Sequence, residues 1–213
     1  MTGSHGPRRV ANASATREDW NQRYTASDLL WTAVPSRFLV AEIEGLRPGL
    51  ALDLACGEGR NAVWLAERGW AVVGVDFSDV GLDTARRMAA ERDVEVDFVH
   101  ADLLTYEPEP QRYDLVCVLY LHLPADDRRR VLARAAAAVA PGGTFLLVGH
   151  DRENLEQGHG GPSNARVLFT ADEVVRELPG LDVVKAERVL RLVEGAARPA
   201  IDALVRARRP ELP

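Results

Sequence analysis

The sequence predicts a single α/β domain: a Rossmann-like, doubly wound sheet with a helical lid at its N-terminal side. Three observations carry this expectation. From residue 50 onward, apolar runs of strand length alternate with amphipathic stretches of helical length, the pattern of parallel strands covered by crossover helices. The first apolar run leads straight into a glycine-rich turn, CGEGRNA, that opens a helix. At 213 residues, with 46% hydrophobic and 27% charged side chains, the chain can bury one core of this kind, and neither an internal repeat nor a linker interrupts it.

Taken in order, residues 1 to about 16 read as a flexible tail and 17–213 as the domain, of which 17–45 form the lid. Within Glu18–Gly45 two helices are expected, the second carrying Pro35 in its first turn, where a missing N–H costs nothing. Strands are expected at Leu50–Ala55, Ala71–Asp76, Val94–Val99, Tyr113–Leu119 and Thr144–Gly149, with helices at Arg60–Arg68, Asp79–Arg92, Pro124–Ala140 and Ala171–Leu178. Thr170 and Glu173 form a capping box at the start of the last helix. The small side chains of Ala133–Ala140 let a helix lie close on the sheet. Arg128–Arg130 follow Asp126 and Asp127 and read as a solvated face. No long helix separates Leu181–Val193 from Ala200–Arg208, so these runs are expected to pair antiparallel, the latter with one wet face bearing Arg206 and Arg208.

Charge and composition narrow the function. A net charge of -6 disfavours nucleic acid as the main partner, because phosphate binding calls for a basic surface. No run approaches 18 consecutive apolar residues, and the first residues hold no apolar signal core, so a cytoplasmic protein without membrane contact is expected. Cys56 and Cys117 stand far apart in apolar surroundings, which argues against a disulfide scaffold or a cysteine-rich zinc site.

The chemistry concentrates in the first β-α-β unit. Gly57, Gly59 and Ala62 fit G-x-G-x-x-A between a strand and a helix, a spacing that lets the backbone turn sharply and approach a ligand. Asp76 ends the second strand seventeen residues after Gly59, where a carboxylate can accept both ribose hydroxyls of an adenosine. Nicotinamide and S-adenosylmethionine (AdoMet) enzymes share these features. Asp53 separates them: an acid four residues before Gly57 repels a pyrophosphate at the helix N-terminus but suits the sulfonium and α-ammonium of AdoMet. After the third strand, Asp102 can accept from an adenine amine, and Leu103 can offer its N–H to the ring.

DLACGEGRNAVWLAERGWAVVGVDFS resembles the cofactor-binding half of the class I AdoMet-dependent methyltransferases. It is most similar to the branch holding the tellurite-resistance and thiopurine methyltransferases. Cys-Gly-x-Gly-Arg-Asn, the Gly-Trp before the second strand and the aromatic segment Trp20–Trp31 carry the likeness. The resemblance implies a seven-stranded sheet with its last strand antiparallel. It also implies AdoMet contacts from Asp53, Gly57, Gly59, Asp76, Phe77, Asp102, Leu103 and Leu119, with Trp31 over the cofactor. Asn61 and Ser78, in the same two turns, complete the expected cofactor set.

The expected reaction is in-line methyl transfer to a small-molecule acceptor, in which positioning supplies most of the rate. Candidates for a base or acceptor contact are Tyr120 and His122 after the fourth strand and His150 after the fifth; His122 has an ordinary alternative as a packing residue at a strand end. No paired acids follow these strands, so no catalytic metal is expected. The sequence displays no assembled catalytic dyad, which favours a soft sulfur, selenium or tellurium acceptor that needs little base. The loop at 150–165 has the size of a second cover. Two alternatives stand beside this reading. A nicotinamide oxidoreductase is opposed by Asp53 and by the lack of a Tyr-x-x-x-Lys pair, and a non-catalytic AdoMet-binding protein is opposed by the polar groups at the strand ends.

Overall fold

The computed structural model describes residues 16–26, 29–30 and 32–211. The tail 1–15 and Trp31, expected over the cofactor, lie outside the described residues. Thr16 is the N-cap of α1 (Arg17–Thr25), in a capping box with Asp19. Helix α2 (Arg37–Glu42) then leads to β1 (Leu50–Leu54), α3 (Arg60–Ala66), β2 (Ala71–Asp76), α4 (Asp79–Glu91), β3 (Asp97–His100) and β4 (Tyr113–Leu119). Helix α5 (Ala125–Ala138), β5 (Val139–His150), the short α6 (Asn154–Gln157), α7 (Ala171–Val175), β6 (Asp182–Arg191) and β7 (Ala200–Arg208) complete the order.

The seven strands form one sheet in the order β3-β2-β1-β4-β5-β7-β6, with β7 antiparallel to both of its neighbours. The chain winds outward from β1 to β3 and returns to place β4 against the free edge of β1. That reversal opens a crevice at the carboxyl ends of the strands, where ligands bind in doubly wound folds. Alternation along the strands serves two cores. Val116 and Val118 face Leu132 of α5 and Val174 of α7 on one side, while Leu115 and Cys117 join Leu39 of α2 and Leu65 of α3 on the other.

Where boundaries differ from the sequence expectation, local hydrogen bonding explains it. Val94 gives its N–H to the Ala89 carbonyl and closes the turn after α4, so β3 begins only at Asp97. Val139 pairs with Tyr113, which ends α5 at Ala138 and extends β5 backward through Gly142 and Gly143. The solvated reading of Arg128 does not hold. Its position on the inner face of α5, three and four residues before Val131 and Leu132, buries it, and Nε and Nη2 each donate to Glu177 at 2.9 Å. Arg129 and Arg130 remain at the surface, paired with Asp126 and Asp127. At the far end of the lid segment, Glu42 of α2 accepts from Lys185 of β6 at 2.6 Å, and its carbonyl accepts from Arg206 of β7 at 2.9 Å.

Candidate active site

At the carboxyl end of β1 the backbone swings through Ala55, Gly57 and Gly59, all at positive φ. A side chain is excluded at both glycines. A Cβ on Gly59 would lie 2.6 Å from the Ala85 methyl carbon of α4, and one on Gly57 would lie 2.7 Å from the Tyr24 hydroxyl of α1. Beneath this turn Asp53 is fully buried, and among the described residues its Oδ2 has no hydrogen-bond partner. Burial and then the charge of Asp76 push its carboxyl up to about 7, with Arg60 and the Ala62 N–H pulling the other way. A buried acceptor without a donor is costly, and a bound cation would relieve it.

Asp76 serves the turn as well as any ligand. Its Oδ2 accepts from the Gly57 N–H and its Oδ1 from the Ser78 N–H, both at 2.8 Å. Burial raises its carboxyl in spite of these bonds and the further pull of the Phe77 N–H. Ser78 caps α4, accepting from Gly81 and donating to Asn21. Phe77 is half-buried, and its carbonyl is 2.9 Å from His100 Nε2. Asp102 is exposed, with Oδ1 accepting from Leu104, and Leu103 and Leu119 are buried beside the same crevice.

The lid segment is fastened to this corner by the motif's own side chains. Asn61 accepts the Ser36 N–H at 2.8 Å and Glu58 accepts the Leu30 N–H at 3.0 Å. Asn21 reaches Asp79 at 2.6 Å, and Tyr24 lies over Gly57 and Gly81. The sequence reading placed Asn61 with the cofactor; its side-chain oxygen is taken by the lid. Glu58 and Tyr24 were not anticipated.

A second cluster forms across β4, β5, β7 and β6. Tyr120, at φ +61, turns the chain off β4 and donates its hydroxyl to Asp202 Oδ2 at 2.9 Å. His150 ends β5 directly opposite Asp202 in the β5–β7 ladder, with Nδ1 3.1 Å from Asp202 Oδ1, a contact bent out of hydrogen-bond alignment. Arg191 Nε lies 2.8 Å from Asp202 Oδ2, its guanidinium over the Tyr120 ring. Burial alone would raise the Asp202 carboxyl, but His150 and Arg191 more than offset it and leave it below the ordinary value. Burial, and then Asp202, push the Tyr120 phenol up, so it remains a donor.

His122 is placed differently from His150. Its Nε2 accepts the His150 backbone N–H at 3.1 Å, and its ring stacks between those of His150 and Phe169. Burial and then His150 push it down to about 3, so it is neutral at physiological pH and the lone pair on Nε2 is already in use. His150 makes no hydrogen bond through Nε2 among the described residues, and its side chain is 10% exposed.

Arg60, at the start of α3, connects the two clusters. Burial lowers it, and Tyr120, Arg191, Asp53 and Glu58 all lie within its field. Sequence reasoning missed Asp202, Arg191 and Arg60. The one available signal was an aspartate in the middle of AIDALV, since a charge inside a buried strand is seldom left without a partner. The loop after β5 is pinned: Asn154 accepts from Ile201 of β7 and donates to Gly160, and the Gly161 backbone packs on the His150 ring. Among the described residues no cluster of three His, Cys, Asp or Glu is placed to hold a metal ion.

Sheet order, glycine turn and terminal carboxylates together define the class I methyltransferase fold. Residues 51–143 match the family described as a methyltransferase domain, and over that segment the resemblance drawn from the sequence holds. The ribosomal RNA small subunit methyltransferase C of Alcanivorax borkumensis is 32% identical over 124 residues, 53% of this chain and 37% of that protein. The 2-heptyl-1-hydroxyquinolin-4(1H)-one methyltransferase of Mycobacteroides abscessus is 30% identical over 122 residues, 56% of this chain and 54% of that one. The matched segments thus span between about a third and a half of these relatives' lengths. The TehB structure from Haemophilus influenzae superposes with a TM-score of 0.68 over 91% of this chain and 66% of that one, at 16% identity, a likeness of fold.

Proposed function

We propose that this protein is an AdoMet-dependent methyltransferase acting on a small-molecule acceptor. The observation that carries the reading is Asp53, a buried carboxylate with an open oxygen beneath a glycine turn that no side chain can fill. That combination favours a ligand bringing positive charge, and it opposes the pyrophosphate of a nicotinamide cofactor. In this reading Asp53 balances the cofactor's positive charge, Gly57 and Gly59 admit its backbone-hugging portion, and Asp76 takes the ribose. Phe77, Leu103 and Leu119 flank the adenosine, with Asp102 at the adenine amine. The cofactor supplies an activated methyl group; the chain's task is to align an acceptor in line with it and keep water out.

The methyltransferase-domain match supports the activity, and the relatives' names point both ways on the acceptor, one to a hydroxyquinolone and one to ribosomal RNA. The net charge of -6 favours the small molecule. The soft-acceptor expectation loses its premise, because the fold assembles a histidine and a carboxylate that the sequence kept apart. A cytoplasmic setting belongs to the same reading, where the buried thiols of Cys56 and Cys117 stay reduced. Calorimetry with AdoMet, S-adenosylhomocysteine and NAD tests the proposal. Binding of the first two and not the third is expected, with methyl transfer that survives EDTA. NAD binding alone would replace the reading with an oxidoreductase, and AdoMet binding without turnover of any acceptor would make the protein a non-catalytic binder.

A further inference from the structure

We propose that His150 is the general base of this site, that Asp202 is its positioning residue, and that the acceptor is a hydroxyl compound protonated at neutral pH, such as a phenol or an enol. The inference rests on the methyltransferase reading and adds the acceptor's chemical class.

Of the two stacked histidines, only one has a nitrogen to offer. His122 spends Nε2 on the His150 N–H, which fixes that ring as an acceptor within the fold. His150 turns Nδ1 toward Asp202 at 3.1 Å and, among the described residues, leaves Nε2 without a hydrogen bond on a side chain that retains some exposure. A carboxylate at Nδ1 stabilises the tautomer carrying its proton there, leaving Nε2 as the lone-pair nitrogen, and it also stabilises the imidazolium once a proton is taken. Asp202 can do this because it is itself held from several sides. Arg191 of β6 and the Tyr120 hydroxyl both reach Oδ2, leaving Oδ1 to face His150. Tyr120 and His122 after β4, Asp202 of β7 and, through Asp202, Arg191 of β6 are the titratable and charged groups facing His150. The covering loop contributes the uncharged Gly161 backbone, while Phe169 backs His122.

A machinery of this kind is superfluous for a thiolate or another soft anion, which attacks a sulfonium methyl unaided. It is useful when the attacking oxygen still carries its proton. In the step, His150 Nε2 takes the hydroxyl proton and the freed oxygen pair forms the bond to the methyl carbon. The bond from that carbon to the sulfonium breaks with its pair going to sulfur, giving S-adenosylhomocysteine. The imidazolium then returns its proton to water.

The test screens a panel of phenols, enols, thiols and amines for S-adenosylhomocysteine release, with AdoMet affinity measured in parallel. Turnover of hydroxyl compounds is expected. For a phenol protonated at the assay pH, His150→Ala lowers kcat by about 10²–10⁴-fold. For an acceptor already ionised at that pH, such as 4-nitrophenol in mild alkali, the loss is much smaller, and AdoMet affinity changes less than about twofold. Asp202→Asn lowers kcat more than it raises KM. Nitrogen NMR of the His150 ring, needing neither donor nor acceptor, shows the Nδ1-protonated tautomer in the wild type and loses that preference in Asp202→Asn. Should Asp202→Asn fail to fold, the same tautomer measurement on the wild type and the pH profile of His150→Gln decide. AdoMet binding with thiols or amines as the sole acceptors, equal loss on ionised and protonated phenols, or an Nε2-protonated ring in the wild type would overturn the proposal. Failure to bind AdoMet would instead overturn the methyltransferase reading beneath it.

Discussion

Asp53 and Asp202 are aspartates of equal burial at the same end of one sheet, three strand positions apart in the order β1-β4-β5-β7, and their carboxyls shift in opposite directions. Asp53 is raised to about 7 and has an oxygen with no partner among the described residues, whereas Asp202 is lowered with a histidine, a tyrosine and an arginine around it. Burial presses both upward; the neighbours decide the sign. A carboxylate surrounded by donors has been made part of the framework and can orient others. One left without them holds an unbalanced position that binding can relieve, which is why the β1 corner reads as a place for a positively charged ligand and the β5–β7 corner as prepared chemistry.

The contrast can be broken most forcefully at Asp202. Asp202→Ala removes the partner of Arg191, Tyr120 and His150 together, and breaking a buried charged cluster from one side costs about 3–5 kcal/mol. Urea denaturation of the ligand-free protein is expected to show a loss on that scale. A change under about 1 kcal/mol would mean that the three donors find solvent without difficulty.

Asp53→Asn sharpens the other side. AdoMet affinity is expected to fall by about 1.5–3 kcal/mol, the range for losing a charge-assisted contact. Without ligand the variant gains instead. The folded carboxyl, at about 7, lies above its ordinary 3.8, so the folded state holds the proton more tightly. Its contribution to stability is therefore complete below pH 3.8 and is lost as pH rises through about 7. Thermal melts from pH 4 to 8 should show the wild type declining across this window and Asp53→Asn declining less. Parallel curves would show that Asp53 ionises at little cost.

The smallest effect is expected where the lid meets the glycine turn. Asn61→Ala removes the acceptor of the Ser36 N–H and should cost about 1 kcal/mol of local stability. Hydrogen exchange should quicken at residues 32–40 while β1 and β4 stay protected. Equal acceleration throughout would show that Asn61 holds the core and not the lid.

The same contrast sets what the sequence discloses. Asp53, the glycine turn and Asp76 lie in one β-α-β unit, so a glycine spacing, an acid at the end of the next strand and the strand periodicity were enough to place them, whereas Tyr24 reaches the same turn from α1 and left no local mark. The seven strands followed for the same reason, since Ala71–Asp76, Tyr113–Leu119 and Ala200–Arg208 each announce themselves by local pattern. The Asp202 corner is built by strand order and register. Tyr120 and Asp202 are 82 residues apart, and their meeting depends on β7 inserting antiparallel between β5 and β6 with His150 opposite Asp202. No local pattern encodes that register. Arg128 shows a related limit: its neighbours in sequence are charged and wet, and only the docking of the segment after α7 supplies Glu177. Asn61 shows the reverse case, a motif letter whose partner is a backbone N–H 25 residues upstream.

The two covers are moored at different places. Leu30 and Ser36 are tied to Glu58 and Asn61 of the glycine turn, and the loop after β5 is tied through Asn154 to β7. Neither mooring borrows a residue from the other, so the two segments are held independently. Under the methyltransferase reading proposed above, separate covers leave the methylated product and the spent donor different sides by which to depart. The order of departure would then turn on which cover opens first, and on one side that cover is held by two side chains gripping two backbone amides.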